Sequence, residues 1–305
     1  MTSYQFYTVD VFTEQAFGGN QLAVFPKAEG LTDQQMQAIA RELNLSETTF
    51  VFPPEDPNNT RKVRIFTPGA ELPFAGHPTI GTAHVLVAAG EVASNGAVTE
   101  IVFEEGVGPI PVSISKRDST RTYGQLSASQ MPVFGPPPPA RKDLAAILSI
   151  SPEDISAHEP VEAVSCGVPY LFLPLTGLAA MARLRINAML WDEVLGDYWA
   201  TAVFAWTRET IHSGSDIHAR MFASTLGVME DPATGSAAAA LAGYLGVREG
   251  AQKGTLRWLV EQGLEMQRPS FLEVEATKQE GEIIAVRVGG STVSVSRGEM
   301  EVPRL

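Results

Sequence analysis

Residues 74–90, FAGHPTIGTAHVLVAAG, and residues 233–246, ATGSAAAALAGYLG, decide the reading of the fold. Each stretch has a glycine, then a hydrogen-bonding side chain, then a helical run built mostly of small residues. A surface helix shows a stripe of large apolar residues opposite a polar face. Neither run shows one. Small side chains on every face suit a helix enclosed by sheet on all sides. One such joint in each half of the chain reads as a weak internal repeat.

Working outward from the first joint, residues 5–12 and 22–25 read as strands around a turn at Gly18-Gly19. A helix follows, with Thr32 as N-cap, Gln35 completing a capping box, and Leu31 with Met36 as a hydrophobic staple. Met36, Ile39, Ala40 and Leu43 repeat at helical spacing. Strands are expected at 48–52 and 62–66, then a helix from Pro78 at N1 to about residue 89, with Gly90 past its end. Residues 101–115 alternate apolar and polar as strands do. Four prolines, Pro136 to Pro139, make the strongest break in composition. The boundary between two domains is placed there, giving 1–130 and 131–305, with the last strands allowed to cross back to the first. The second half is expected to hold a helix near 140, a helix capped by Ser151 with Pro152 at N1, and strands at 164–175 and 219–222. A helix ending at Gly246 comes next, then strands at 256–261, 271–276 and 283–288.

Of the 305 residues, 44% are hydrophobic and 19% charged, a balance that fits a packed core. The net charge of -13 argues against nucleic acid and anionic lipid as partners. It leaves room for a small carboxylate in a locally positive pocket. The lone Cys166 rules out an internal disulfide framework and fits a reducing, cytoplasmic setting. The start shows no signal-peptide pattern, and no apolar run reaches the ~18 residues of a membrane span.

The chemistry concentrates at the two joints. A helix N-terminus presents unpaired N–H groups and the positive end of the macrodipole, and a glycine before it lets an anion approach. Gly76 and Gly235 therefore suit a carboxylate, or negative charge developing in a transition state. They equally suit tight turns. His77 sits at the first joint, where the helix disfavours the cation, and a neutral hydrogen-bonding role or a structural one is open. Asp231 and Ser236 flank the second joint, as capping residues also do. Glu47, between a helix end and a strand, reads by itself as a surface carboxylate. Desolvated in a closing cleft, a carboxylate takes and returns a proton near neutral pH. The spacings of His77 with His84 and of His212 with His218 do not match zinc sites, so no metal is expected. Nucleotide loops and the GxSxG elbow are absent.

Three blocks, RELNLSETTFVF (41–52), RIFTPGAELPFAGHPTIGTAH (64–84) and EDPATGSAAAALAGYL (230–245), resemble those of the phenazine-biosynthesis PhzF-like proteins. The opening VDVFTEQAFGGNQLAVF (9–25) is similar to that family's first hairpin, with Gln21 where the family usually has proline. The resemblance implies an α/β fold like that of diaminopimelate epimerase. Two pseudo-symmetric lobes each wrap a mixed, mostly antiparallel barrel-like sheet around a central helix, with the active site between them. The epimerase's two cysteines are matched here by His77 and Ser236, which removes a two-thiol mechanism.

The resemblance also implies site residues. Glu47 is the general acid/base, with His77, Asp231 and Ser236 assisting. Gly76, Gly235, Thr234 and Ser46 bind substrate. It further implies a homodimer and an isomerase needing neither metal nor organic cofactor. The named member isomerises trans-2,3-dihydro-3-hydroxyanthranilate. A small-acid binding or sensing protein, and an epimerase on another amino or hydroxy acid, remain the alternatives.

Overall fold

The computed structural model describes residues 1–94, 96–118, 120–226 and 228–304. The chain divides into two compact units, Met1–Ser127 with Gly289–Leu305, and Ala128–Val288.

Unit 1 runs β1 (Thr2–Val11), β2 (Asn20–Phe25), α1 (Asp33–Leu43), β3 (Glu47–Phe52), β4 (Arg61–Phe66), β5 (Glu71–Leu72), α2 (Gly76–Ala88), β6 (Thr99–Glu105), β7 (Gly108–Lys116) and β8 (Arg121–Ser127). The long final strand β17 (Glu282–Val302) enters this unit at Gly289. Pairing passes from β17 to β1, β2, β3, β4, β6, β7 and β8, and from β8 back to β17. Eight strands thus close a barrel, which removes exposed sheet edges. The β2–β3 and β4–β6 pairs are parallel.

Helix α2 fills this barrel, buried at every position from Gly76 to Val87. Its small residues make that possible. A Cβ on Gly81 would come within 2.6 Å of Leu22 Cδ2 and 2.8 Å of Val11 Cγ2. Polar groups carried inside find partners, as burial requires. Thr82 and Thr49 share a 2.8 Å hydroxyl contact, and His84 lies between Thr122 and Ser294 at 2.9 and 2.8 Å. Burial pushes His84 down to about 4, so it is neutral.

Helix α1 packs outside. Thr32 and Gln35 form the expected capping box, worth about 0.5–2 kcal/mol at the cap. Leu31 and Met36 join Phe25, Phe50 and Phe66 in a core beneath the helix. With α2 on one face and α1 on the other, β2 and β3 are buried nearly throughout. By contrast, β6, β7 and β8 alternate buried with half-buried or exposed residues.

Unit 2 contains β9 (Val133–Phe134), α3 (Arg141–Ile147), β10 (Glu162–Ser165), β11 (Pro169–Pro174), α4 (Leu178–Arg183), α5 (Ala188–Leu195) and β12 (Ala202–Thr207). It continues with β13 (Ile217–Ala223), β14 (Val228–Asp231), α6 (Gly235–Gly246), β15 (Gly254–Gln262), β16 (Ser270–Gln279) and the first part of β17. Its pairings repeat those of unit 1. The hairpin β10–β11 matches β1–β2, and the parallel pair β11–β12 matches β2–β3. Antiparallel β12–β13 and β13–β14 match β3–β4 and β4–β5, and parallel β13–β15 matches β4–β6. Side chains follow: Arg64 pairs with Glu71, and Arg220 in the matching place pairs with Glu230. Helix α6 is the counterpart of α2, buried at every position but Ser236. Lys278, itself buried, donates to the carbonyls of Gly246 and Glu249 and closes its C-terminal end. A second core, around Trp191, Leu171, Leu173 and Val203, joins α3, α4 and α5 to β11 and β12.

Several expectations are corrected. Helix α2 begins at Gly76, so Pro78 is the third helical residue; none of the first three needs an N–H donor within the helix. Residues 152–154 form only a turn of 3-10 helix. The strand expected at 164–175 is a hairpin, β10 and β11, turning at Cys166-Gly167-Val168 with Gly167 at φ 130°. The last strand continues to Val302. Strands β8 and β12 and helices α4 and α5 were not expected.

Candidate active site

Glu47 is the first residue of β3, paired in register with Leu22. Its position follows from how α1 ends. Asn44 takes the left-handed conformation, φ 51°, and its N–H closes onto Ala40, so after this cap only Leu45 and Ser46 precede the strand. His77 is the second residue of α2. Glu47 Oε2 and His77 Nε2 lie 3.1 Å apart, with side chains 15% and 7% exposed. The two atoms meet off the line that a hydrogen bond prefers. Ser46, next in the chain, is exposed.

Neither N-cap residue, Ala75 of α2 or Thr234 of α6, caps its helix with its own side chain. In α2 the first intrahelical bond is donated by Thr79 to Ala75, leaving the Gly76 and His77 amides ahead of it; Pro78 has none to offer. In α6 the first bond runs from Ala238 to Thr234, ahead of which stand the amides of Gly235, Ser236 and Ala237. Such a turn presents N–H groups and positive potential together.

The second group of residues is built around that turn. Asp231 ends β14, and its Oδ2 accepts from the Thr234 hydroxyl at 2.5 Å. Ser236 Oγ lies 2.7 Å from the hydroxyl of Tyr170 on β11. Gln262, fully buried at the end of β15, accepts from the Thr234 N–H at 3.2 Å and donates to the Asp231 carbonyl at 2.7 Å. Its neighbour Gly263 is at φ 76°, and a Cβ there would fall 2.5 Å from the Pro232 carbonyl oxygen. The loop carrying Asp231 and Thr234 is therefore held by the end of β15. Sequence reasoning did not single out Tyr170 or Gln262. The signal for Tyr170 was a phenol inside an otherwise apolar run.

Behind Gln262 sits His218, fully buried, with Nδ1 2.8 Å from Glu261 and Nε2 2.9 Å from Glu265. Burial opposes its charge, but the two carboxylates outweigh burial and raise it to about 9. Glu261 is held low in turn, also receiving the N–H groups of Ile211 and His212. Cys166, pushed up to about 12 by burial, has the character of an inert thiol. Among the described residues no three His, Cys, Asp or Glu side chains gather as metal ligands do, and no helix is long and apolar enough to cross a membrane.

Comparison with known proteins gives this geometry its context. Residues 9–298 match the family model for phenazine biosynthesis-like proteins, PhzC-PhzF. An uncharacterized isomerase of Mesorhizobium japonicum is 38% identical over 304 residues, covering 98% of this chain and 99% of the relative. The trans-2,3-dihydro-3-hydroxyanthranilate isomerase of Pseudomonas aeruginosa is 32% identical, with 97% and 98% covered. The crystal structure of a Bacillus anthracis phenazine biosynthesis protein of the PhzF family superposes with a TM-score of 0.90 at 26% identity, covering 99% of this chain and all of the other. The chain belongs to the PhzF-like family and is an isomerase with that family's epimerase-like fold.

Proposed function

We propose that the chain moves a proton on a small cyclic or unsaturated carboxylate, with Glu47 as the general acid/base and trans-2,3-dihydro-3-hydroxyanthranilate as the model substrate. The observation that carries this reading is the 3.1 Å contact between Glu47 and His77 at the uncapped first turn of α2. One carboxylate oxygen is engaged by the imidazole, which leaves the other for substrate.

On the model substrate, Glu47 takes the hydrogen from C3. The electron pair of that C–H bond shifts through the conjugated system, and a new C–H bond forms at C1 with the proton that Glu47 returns. The resulting enol becomes a ketone by moving its own proton, so nothing is gained or lost. Backbone N–H groups at Gly76 and Gly235 hold the carboxylate and steady the developing charge. Thr234 and Ser46 contribute to binding, while Asp231 and Ser236 orient the substrate and assist proton transfer.

The test is Glu47→Gln, assayed first on the model substrate and then on a panel of cyclic carboxylates. Turnover on whichever compound the wild type converts should fall by about a hundredfold or more, because a general base is lost. Full turnover in a folded variant overturns the reading. Tight binding by the wild type with no conversion of any compound points to a binding protein instead.

A further inference from the structure

Strand β6 ends at Glu105, whose side chain reaches the first turn of α2 from below. The hydroxyl of Thr79 lies 2.7 Å from Glu105 Oε1 and also 2.7 Å from the carbonyl oxygen of Ala75, the N-cap of α2. A hydroxyl has one proton to give, and a carbonyl only accepts. Were Glu105 ionised, one of these two short contacts would bring acceptor against acceptor. Both are satisfied when the carboxyl carries a proton: Glu105 donates to Thr79, and Thr79 donates to Ala75. Glu105 is 8% exposed and its Oε2 is buried with no hydrogen-bond partner among the described residues, an expensive place for an anion and a cheaper one for a neutral acid.

The internal repeat supplies an independent observation. Lys62 on β4 pairs with Glu104, and in unit 2 His218 on β13 pairs with Glu261. The residues that follow, Glu105 and Gln262, therefore occupy matching places. Gln262 reaches back to Thr234, the N-cap of α6, and to the Asp231 carbonyl. It does so as a neutral group that both donates and accepts, which a protonated glutamic acid imitates and a glutamate does not.

We propose that Glu105, in its protonated form, is a positioning residue that holds the first turn of α2 and so sets the place of His77. Its bearing on catalysis rests on the acid/base reading above, but its test does not. The carboxyl is pushed up to about 8, by burial first and against the smaller opposing effect of the Thr79 hydrogen bond. Of the ionisable groups nearby, Lys62 pairs with Glu55, and Arg64 pairs with Glu71. Glu104 takes the N–H groups of Glu55 and Asp56, β7 meets Glu105 with Gly108, and α2 contributes His77 itself. Each of these cations is thus committed to another carboxylate. Above pH 8 the proton leaves, the relay to Ala75 breaks, and the turn carrying His77 is loosened.

The experiment is NMR on the full chain without substrate, with carboxyl-labelled glutamate and ring-labelled histidine. Glu105 is assigned by the signal lost in Glu105→Gln, and His77 by the signal lost in His77→Asn. The Glu105 carboxyl should titrate near 8, far above the 4.5 of an ordinary glutamate, and the His77 ring signals should show a step with the same midpoint. In Glu105→Gln that step should vanish while the neutral-pH positions of the His77 signals are kept. Glu105→Ala should displace them at all pH values; if it fails to fold, the wild-type and glutamine titrations decide alone. A Glu105 midpoint below 6, or His77 signals that ignore its titration, overturns the proposal whatever the outcome of the turnover assays.

Discussion

Glu47 Oε2 stands 3.1 Å from His77 Nε2, the first residue of a strand against the second residue of a helix, both largely withdrawn from water. On the proposed acid/base reading, Oε2 faces the imidazole and Oε1 is the oxygen left for substrate. His77→Asn keeps a polar side chain at this place but shortens its reach. We expect turnover to fall by about ten- to a hundredfold, since misplacing a base by an ångström has effects of that order. The fall should lie in kcat more than in KM, measured beside circular dichroism to show the fold intact. An unchanged kcat would mean that Glu47 needs no such partner.

Gln262 offers a second test, because it ties the loop of Asp231 and Thr234 to β15 with three contacts, at 2.7, 3.1 and 3.2 Å. Gln262→Leu preserves volume and removes all three. With the Thr234 N–H left buried and unsatisfied, the loss should be about 2 kcal/mol by urea denaturation. Amide exchange at Thr234 and Gly235 should quicken, while exchange within β7 in the other unit should not change. Uniform acceleration everywhere would show a global loss of stability rather than a local release of the loop.

These residues mark where the sequence was legible and where it was not. The capping box of Thr32 and Gln35 and the small-residue runs of α2 and α6 are local chemistry, and they read correctly. The start of α2 did not, because Ala75 supplies no capping side chain and Pro78 imitates a first helical residue. The hairpin of β10 and β11 turns at Cys166-Gly167-Val168, without the Asn-Gly type of signal, so it read as one strand. Strand β12 is buried at every position, and a continuous apolar run has no periodicity to separate strand from helix. Gln262, Tyr170 and Glu105 owe their roles to what faces them across the sheet. The pairing of β4 with β6 and of β13 with β15 brings Glu105 and Gln262 to the helix ends, while Tyr170 is placed by the pairing of β11 with β10 and β12.

The enclosure of α2 has its own consequence. In an exposed helix Gly→Ala stabilises by about 1 kcal/mol. At Gly81 the added methyl would press on Leu22 and Val11 inside a closed barrel. Overpacking of this kind costs roughly 1–3 kcal/mol, which outweighs the gain in propensity. Gly81→Ala should therefore lower the melting temperature by a few degrees. A higher melting temperature would mean that the barrel wall yields at little cost.

The His218 clamp sets the alkaline limit of stability. Its imidazole is raised from about 6.5 to about 9, the carboxylates of Glu261 and Glu265 outweighing the opposite effect of burial. Between these values the folded chain holds a proton that the unfolded chain has released, so stability falls as pH rises. The contribution is complete below pH 6.5 and gone above 9, and amounts to about 3 kcal/mol. Glu105, raised to about 8, adds a decline of the same sign that begins near 4.5 and ends near 8. The step between pH 8 and 9 is thus due mainly to His218, with the buried Cys166 thiol, raised from 9 to about 12, beginning a smaller decline of the same sign. Melting curves from pH 6 to 10 should show the wild type losing more stability across that step than His218→Gln, which keeps only the smaller decline. At pH 7 the variant should also be weaker by about 3 kcal/mol, since the buried Glu261 and the partly exposed Glu265 lose their shared cation. A wild-type melting temperature that stays level from pH 8 to 9.5 would show that His218 is not held as a cation, and the end of β15 would then have to be fixed by Gln262 and the backbone alone.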